Sequence, residues 1–75
     1  MTHVGIWMIK IAGYGDFEYL GTEADAETRR RQKANWEHAV GRKERRRDAN
    51  EAEIAYYGKH GPESLDRMKN VLISL

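Results

Sequence analysis

The chain has no cysteine, a single proline, and no apolar run long enough to cross a bilayer. Without cysteine it can form no disulfide, and nothing in it suggests a cross-linked secreted scaffold. The longest apolar stretch lies near the N-terminus and is interrupted by Lys10 and by glycines. It falls short of the roughly 20 residues a membrane helix needs, and no cleavage-site pattern follows it. A soluble protein with no membrane role is therefore expected. The three histidines, His3, His38 and His60, lie far apart and none has a partner at metal-ligand spacing, so no metal or other cofactor is expected.

Catalytic groups are also scarce. Nucleophilic catalysis needs an activated serine, threonine, cysteine or lysine beside a base. Here Thr2, Thr22, Thr28, Ser64 and Ser74 stand in no recognisable motif. Glu37–His38 is read as a pair of exposed helix residues rather than an acid–base couple. No glycine-rich phosphate loop precedes a helix, because Gly13-Tyr14-Gly15 reads as the turn of a hairpin. The chain is expected not to be an enzyme.

Seventy-five residues make one domain, 1–75. A chain of this size buries only roughly 60% of its unfolded surface. With no disulfide or metal to staple it, a second chain is the remaining source of buried area, which raises the expectation of a homodimer.

Residues 4–12 (VGIWMIKIA) suit a strand, and residues 16–20 (DFEYL) suit a second. A two-residue turn with Gly13 first pairs Lys10 with Phe17 and Met8 with Tyr19, a register that a one-residue slip would invert. The first strand is apolar on both faces, and one helix covers only one of them. The other face calls for a further helix, a third strand or a second copy of the protein.

Residues 22–57 then read as one long helix, proline-free and with Gly41 inside it. Thr22 is a good N-cap, and Glu23, Asp25 and Glu27 suit the positive end of the helix dipole. Asp25–Arg29 and Glu27–Arg31 are spaced as i,i+4 pairs. The face through Ala26, Arg29, Lys33, Trp36 and Val40 is expected to lie on the sheet. Such a helix runs about 54 Å against about 33 Å for a ten-residue strand, so it overhangs the hairpin. Gly58 and Gly61 end it, Pro62 opens a short amphipathic helix over residues 62–73, and a third strand at 71–75 is the rival to that helix's end. The expected fold is α+β, in the order ββαα.

The formal charge of +1 conceals a sorted distribution. Nine Lys or Arg against two acids occupy residues 29–47, while four basic and ten acidic residues make up the rest. Candidate partner-binding residues are Arg29, Arg30, Lys33, Trp36, Arg42, Lys43, Arg45, Arg46, Arg47 and Tyr57. Five cations in the six positions 42–47 exceed what Glu44 and Asp48 can balance locally. The cluster suits an acidic protein surface, since arginine is enriched at interface hot spots. Alternatively, it neutralises phosphates while an exposed Trp36 stacks on a base. For Trp36 the preferred reading is a core residue packed on the sheet. Tyr56 and Tyr57 are adjacent, so one belongs to the core and the other is free for contact.

At Gly21-Thr22-Glu23-Ala24-Asp25-Ala26-Glu27, followed by Arg29-Arg30, Lys33-Ala34 and Trp36-Glu37, the chain resembles a group of small phage and prophage accessory proteins. Those proteins have a strand, a glycine turn, a second strand ending Gly-Thr-Glu, and a charged helix with a late Trp-Glu. The likeness covers about residues 6–40. It implies a context that includes anti-CRISPR proteins: inhibitors in the host cytoplasm that occlude a surface of a defence complex such as a CRISPR effector. Many anti-CRISPR proteins are strongly acidic DNA mimics; this chain is not, which directs the expectation to an acidic protein partner. Direct nucleic-acid binding by the basic helix is the alternative.

Overall fold

The computed structural model describes residues 3–68. The chain is α+β: strand β1 (Gly5–Ile11), strand β2 (Gly15–Gly21), helix α1 (Glu23–Glu37), strand β3 (Gly41–Asp48), helix α2 (Glu51–His60) and the short strand β4 (Glu63–Ser64). Residues 65–68 are again helical. The strands form one antiparallel sheet in the order β3-β1-β2-β4, so the apolar β1 lies inside it and the basic β3 forms one edge. The predicted third strand at 71–75 and the end of the predicted 62–73 helix, residues 69–73, lie outside the described residues. The start of that helix is β4 instead. Among the described residues no helix is long and apolar enough to cross a membrane.

The single helix expected over residues 22–57 is replaced by α1, β3 and α2. A 36-residue rod would not fit a molecule whose longest extent is 35 Å. The first break is local. His38 takes a left-handed conformation, φ 53°, and its amide closes α1 on the carbonyls of Ala34 and Asn35. The second cause is tertiary: β1 is buried along most of its length, so its backbone groups need ladder partners along both edges, and β3 fills the edge opposite β2. Arginine and lysine are good helix formers, but ladder hydrogen bonds along β1 override that preference. A bulge opposite the Ile6–Trp7 step accommodates one extra residue in β3.

Gly41 marks where α1 and β3 come closest. A Cβ there would lie 2.7 Å from Ile11 Cδ1 and 3.2 Å from Ala34 Cβ. It is a packing glycine at the start of a strand, neither a helix interior residue nor a kink.

The hairpin register differs by one residue from the expected one. Ile9 faces Phe17 and Trp7 faces Tyr19, while Ile11 faces Gly15. The turn holds three residues: the Tyr14 amide donates to the Ile11 carbonyl at 3.0 Å, with Gly13 at φ 82°. A positive φ at that third position is what a type II turn requires. The slip moves Phe17 and Tyr19 to the face of Trp7, Ile9 and Ile11, under α1.

Each face of β1 is then covered from within the chain. Ile9, Ile11 and Ala34 form one cluster beneath α1, with Phe17, Tyr19 and Ala39 at its margin. On the opposite face Ile6 and Leu20 pack with Tyr56, Leu65 and Met68. The argument for a homodimer from an uncovered sheet face therefore loses its premise, because α2 and residues 65–68 supply the second cover. Trp7 pins the sheet to α1's entry, its indole N–H donating to the Gly21 carbonyl at 3.1 Å in a buried site.

Thr22 caps α1 as expected, within a reciprocal box: its hydroxyl accepts from the Asp25 amide at 3.1 Å and Asp25 Oδ2 accepts from the Thr22 amide at 2.9 Å. Asn50 and Glu53 repeat the device on α2, both bonds at 2.9 Å.

Candidate partner-binding surface

Placing residues 41–48 in an edge strand changes the geometry of the basic cluster. Side chains of a strand alternate between faces. Lys43 and Arg45 stand on the α1 face, opposite Ile9 and Trp7; Arg42, Glu44 and Arg47 stand on the other, opposite Lys10, Met8 and Ile6. Arg46 occupies the bulge.

The cations differ in how far the fold already uses them. Arg47 holds Glu53 with two parallel hydrogen bonds, 2.8 and 2.9 Å. The Glu53 side chain is only 8% exposed. Those bonds, aided by the Asn50 amide and opposed by burial, hold the Glu53 carboxyl below its ordinary range, and they raise the Arg47 guanidinium in turn. Lys43 pairs with Glu27 at 3.4 Å and its ammonium sits 6.0 Å from the Trp7 ring centroid. Arg45 pairs with Asp48. Arg42 reaches Glu44 only at 3.9 Å and is 72% exposed. Arg46 is exposed, and no acidic partner stands beside it among the described residues. Of the five cations in β3, Arg42 and Arg46 are thus the ones the fold leaves least occupied.

The cations predicted on the helix divide between its two flanks. Arg30 faces β3, donating to Glu27 at 2.7 Å and to the Gly41 carbonyl at 3.0 Å. Hydrogen bonding from Arg30 lowers the Glu27 carboxyl, against a smaller opposing effect of burial. The expected Asp25–Arg29 and Glu27–Arg31 pairs are not the ones formed. Arg29 lies over the Phe17 ring of β2, 5.6 Å from its centroid, and Asp25 is taken by Thr22 and Tyr57.

Trp36 is 76% exposed, which corrects its reading as a core residue. Ala26 and Ala34, not Trp36, are the buried residues of α1. Seven residues beyond Arg29, or two helical turns, Trp36 shares the flank over β2. Lys33 lies 5.7 Å from its ring centroid and also pairs with Glu37 at 3.0 Å. The structure therefore separates Trp36 and the predicted cations into two groups: Arg29, Lys33 and Trp36 on one flank of α1, and Arg30 on the other flank with Arg42, Lys43, Arg45, Arg46 and Arg47 on the edge strand beyond it.

Tyr57 is engaged internally. Its hydroxyl donates to Asp25 Oδ2 at 2.7 Å and it packs on the Ile6–Leu20 cluster. That hydrogen bond to Asp25, with burial, raises the Tyr57 hydroxyl above the ordinary tyrosine range. Tyr56 is the buried partner of the pair.

Sequence reasoning passed over the hairpin-tip end of the sheet. There an open hollow is lined by Ile11, Ala12, Gly13, Val40 and Arg42. Tyr14 and Val40 are 61% and 79% exposed. An apolar residue at position 40 cannot be told from a helix-face residue until the chain is known to leave the helix at His38. Among the described residues no cluster of three histidine, aspartate or glutamate side chains could hold a metal ion. Compared with protein-family models, curated proteins and solved structures, the chain matches none.

Proposed function

We propose that this chain is a non-enzymatic binding protein that docks the basic edge of β3 on an acidic surface of a partner protein. The observation that carries the reading is the placement of Arg42 and Arg46, exposed and weakly or not at all paired, on the outer strand of a sheet. A rigid strand presents such charges at fixed spacing, which suits arginine's enrichment at interface hot spots. The narrower reading is an inhibitor of phage origin that occludes a host defence complex in the cytoplasm, as anti-CRISPR proteins do. It draws on the resemblance at Gly21–Glu27 and at Trp36-Glu37.

The test compares the wild-type chain with Arg42→Glu/Arg46→Glu. Stoichiometric capture of a protein by the wild type, lost in the double variant, supports docking; equal capture by both removes β3 from the site. Restored phage growth in a host with an active CRISPR system supports the inhibitor reading, and unchanged immunity counts against it. A homodimer belongs to the same proposal on the ground of the chain's small size. Light scattering at micromolar concentration that gives the mass of a single chain would remove it.

The exposed Trp36 favours a second reading, nucleic-acid binding, in which the indole stacks on a base. Its position over β2 sets it apart from the β3 cations. In that reading Arg29 and Lys33 contribute more than Arg42 and Arg46 to the salt dependence of binding.

A further inference from the structure

The backbone of β3 has one side unspent, and the ladder identifies which groups those are. The Ala12 amide donates to the Val40 carbonyl at 2.9 Å, and at the other end the Ala49 amide donates to the Val4 carbonyl at 3.2 Å. Along an antiparallel pair, residues that exchange hydrogen bonds alternate with residues whose groups point the other way. Counting inward from Val40, the N–H and C=O of Gly41, Lys43 and Arg45 point away from β1; counting inward from Ala49, so do those of Asp48. Two side chains confirm the count. Arg30 takes the Gly41 carbonyl at 3.0 Å, and Arg47 takes the Asp48 carbonyl at 3.1 Å. The outer edge is therefore closed by an arginine at each end. Between them, the amides and carbonyls of Lys43 and Arg45 have no hydrogen-bonding partner among the described residues.

Charge selects the occupant. Residues 42–48 carry five cations against Glu44 and Asp48. A second copy of β3 would set cation near cation across strands only about 4.8 Å apart, and like charges directly opposite destabilise a ladder. The same charges that deter self-pairing attract an acidic strand. A nucleic acid would meet the cations but offer no alternating donors and acceptors to Lys43 and Arg45.

We propose that an acidic, extended peptide segment of the partner adds to the sheet as a fifth strand beside β3. It would exchange backbone hydrogen bonds with Lys43 and Arg45 and set its carboxylates against Arg42 and Arg46. This is recognition by strand addition, and it rests on the reading of β3 as the docking edge. It specifies the partner segment: extended, acidic at alternate positions and free of proline.

The test uses the full chain and two synthetic peptides of eight residues, both alternating glutamate and valine, one of them N-methylated at every amide. The peptides match in charge and differ in backbone donors. The expected result is saturable binding of the unmodified peptide, with amide exchange at Lys43 and Arg45 slowed about tenfold. Methylation should weaken binding about tenfold or more. The Arg42→Glu/Arg46→Glu variant, checked for an unchanged melt, should lose comparable affinity. Equal binding of the two peptides, sensitive to the double variant, overturns strand addition while leaving charge-driven docking intact. Binding insensitive to the double variant overturns the basic edge itself. No binding of either peptide, or protection of Lys43 and Arg45 by single-stranded DNA instead, also overturns the proposal.

Discussion

Replacing Arg47 by alanine would leave the Glu53 carboxylate, whose side chain is 8% exposed, with the Asn50 amide as its remaining donor. Hydrogen bonds to charged groups contribute about 1.5–3 kcal/mol, and the half-exposed guanidinium loses part of that to solvent screening. Arg47→Ala should therefore cost about 1–2 kcal/mol by urea unfolding. Arg46→Ala, next to it in sequence, should stay within about 0.5 kcal/mol, as surface substitutions away from structural contacts do. If both variants unfold at the same urea concentration, the division of the cluster into structural and free cations is wrong. Gly41→Ala tests a different contact. The added methyl meets Ala34 Cβ, which is fixed in α1, and the end of the buried Ile11 side chain. Overpacking of this kind costs about 1–3 kcal/mol, whereas a helix-interior glycine would have gained about 1 kcal/mol on replacement by alanine. The sign of that one measurement decides between a packing glycine and a helical one.

At the scale of the elements, the capped ends and apolar strands were readable and the basic strand was not. Thr22 with an acidic first turn announced α1, and residues 4–12 announced β1. The run from Arg42 to Asp48 has no apolar alternation to reveal a strand, because both its faces lie at the margin of the sheet and its residues are mostly exposed. Local preference favours helix there, and only the need of β1 for a second neighbour turns it into β3. One signal was available and passed over: Asn50 followed three residues later by Glu53 is a helix-start pattern. It implies a break in the proposed long helix near residue 49. Among the candidate site residues, the cations of residues 42–47 were legible as a cluster, but their division into occupied and free arginines depends on pairs such as Arg47–Glu53 that form only once α2 folds back. Asn50→Ala removes the acceptor of the Glu53 amide and should lower stability by about 1 kcal/mol. Because Glu53 also anchors Arg47, thermal unfolding followed by circular dichroism should show α2 and the sheet lost together; a separate early loss of helix would show that α2 is not coupled to β3.

For the molecule as a whole, two carboxylates, Asp25 and Glu53, tie α2 to α1 and β3, and their surroundings hold both below the ordinary range. Burial pushes the Asp25 carboxyl up, but hydrogen bonds from the Thr22 amide, the Tyr57 hydroxyl and the Thr22 side chain together outweigh it, so the group lies below its usual range. Glu53 is lowered chiefly by Arg47. A carboxyl held low in the folded state binds its proton more tightly when unfolded. Its contribution is complete above the ordinary values of 3.8 and 4.5 and is lost as pH falls through the folded ones. The tyrosines act at the other end. Tyr19, through burial, and Tyr57, through its hydrogen bond to Asp25, are raised above the ordinary 10.0, so their contribution is present below that value and lost as pH climbs through the folded ones. Urea midpoints should accordingly form a plateau between about pH 6 and 9 and fall on both sides. Tyr57→Phe removes the hydrogen bond between α2 and the α1 cap, and should lower the plateau by about 1–2 kcal/mol. It also removes one of the donors that hold Asp25 low, so the folded and unfolded values of that carboxyl move together and the fall on the acid side becomes shallower. A Tyr57→Phe curve that is lowered but parallel to the wild type below pH 5 would mean that the hydroxyl contributes packing alone, and that Asp25 is held low by the α1 cap without help from α2.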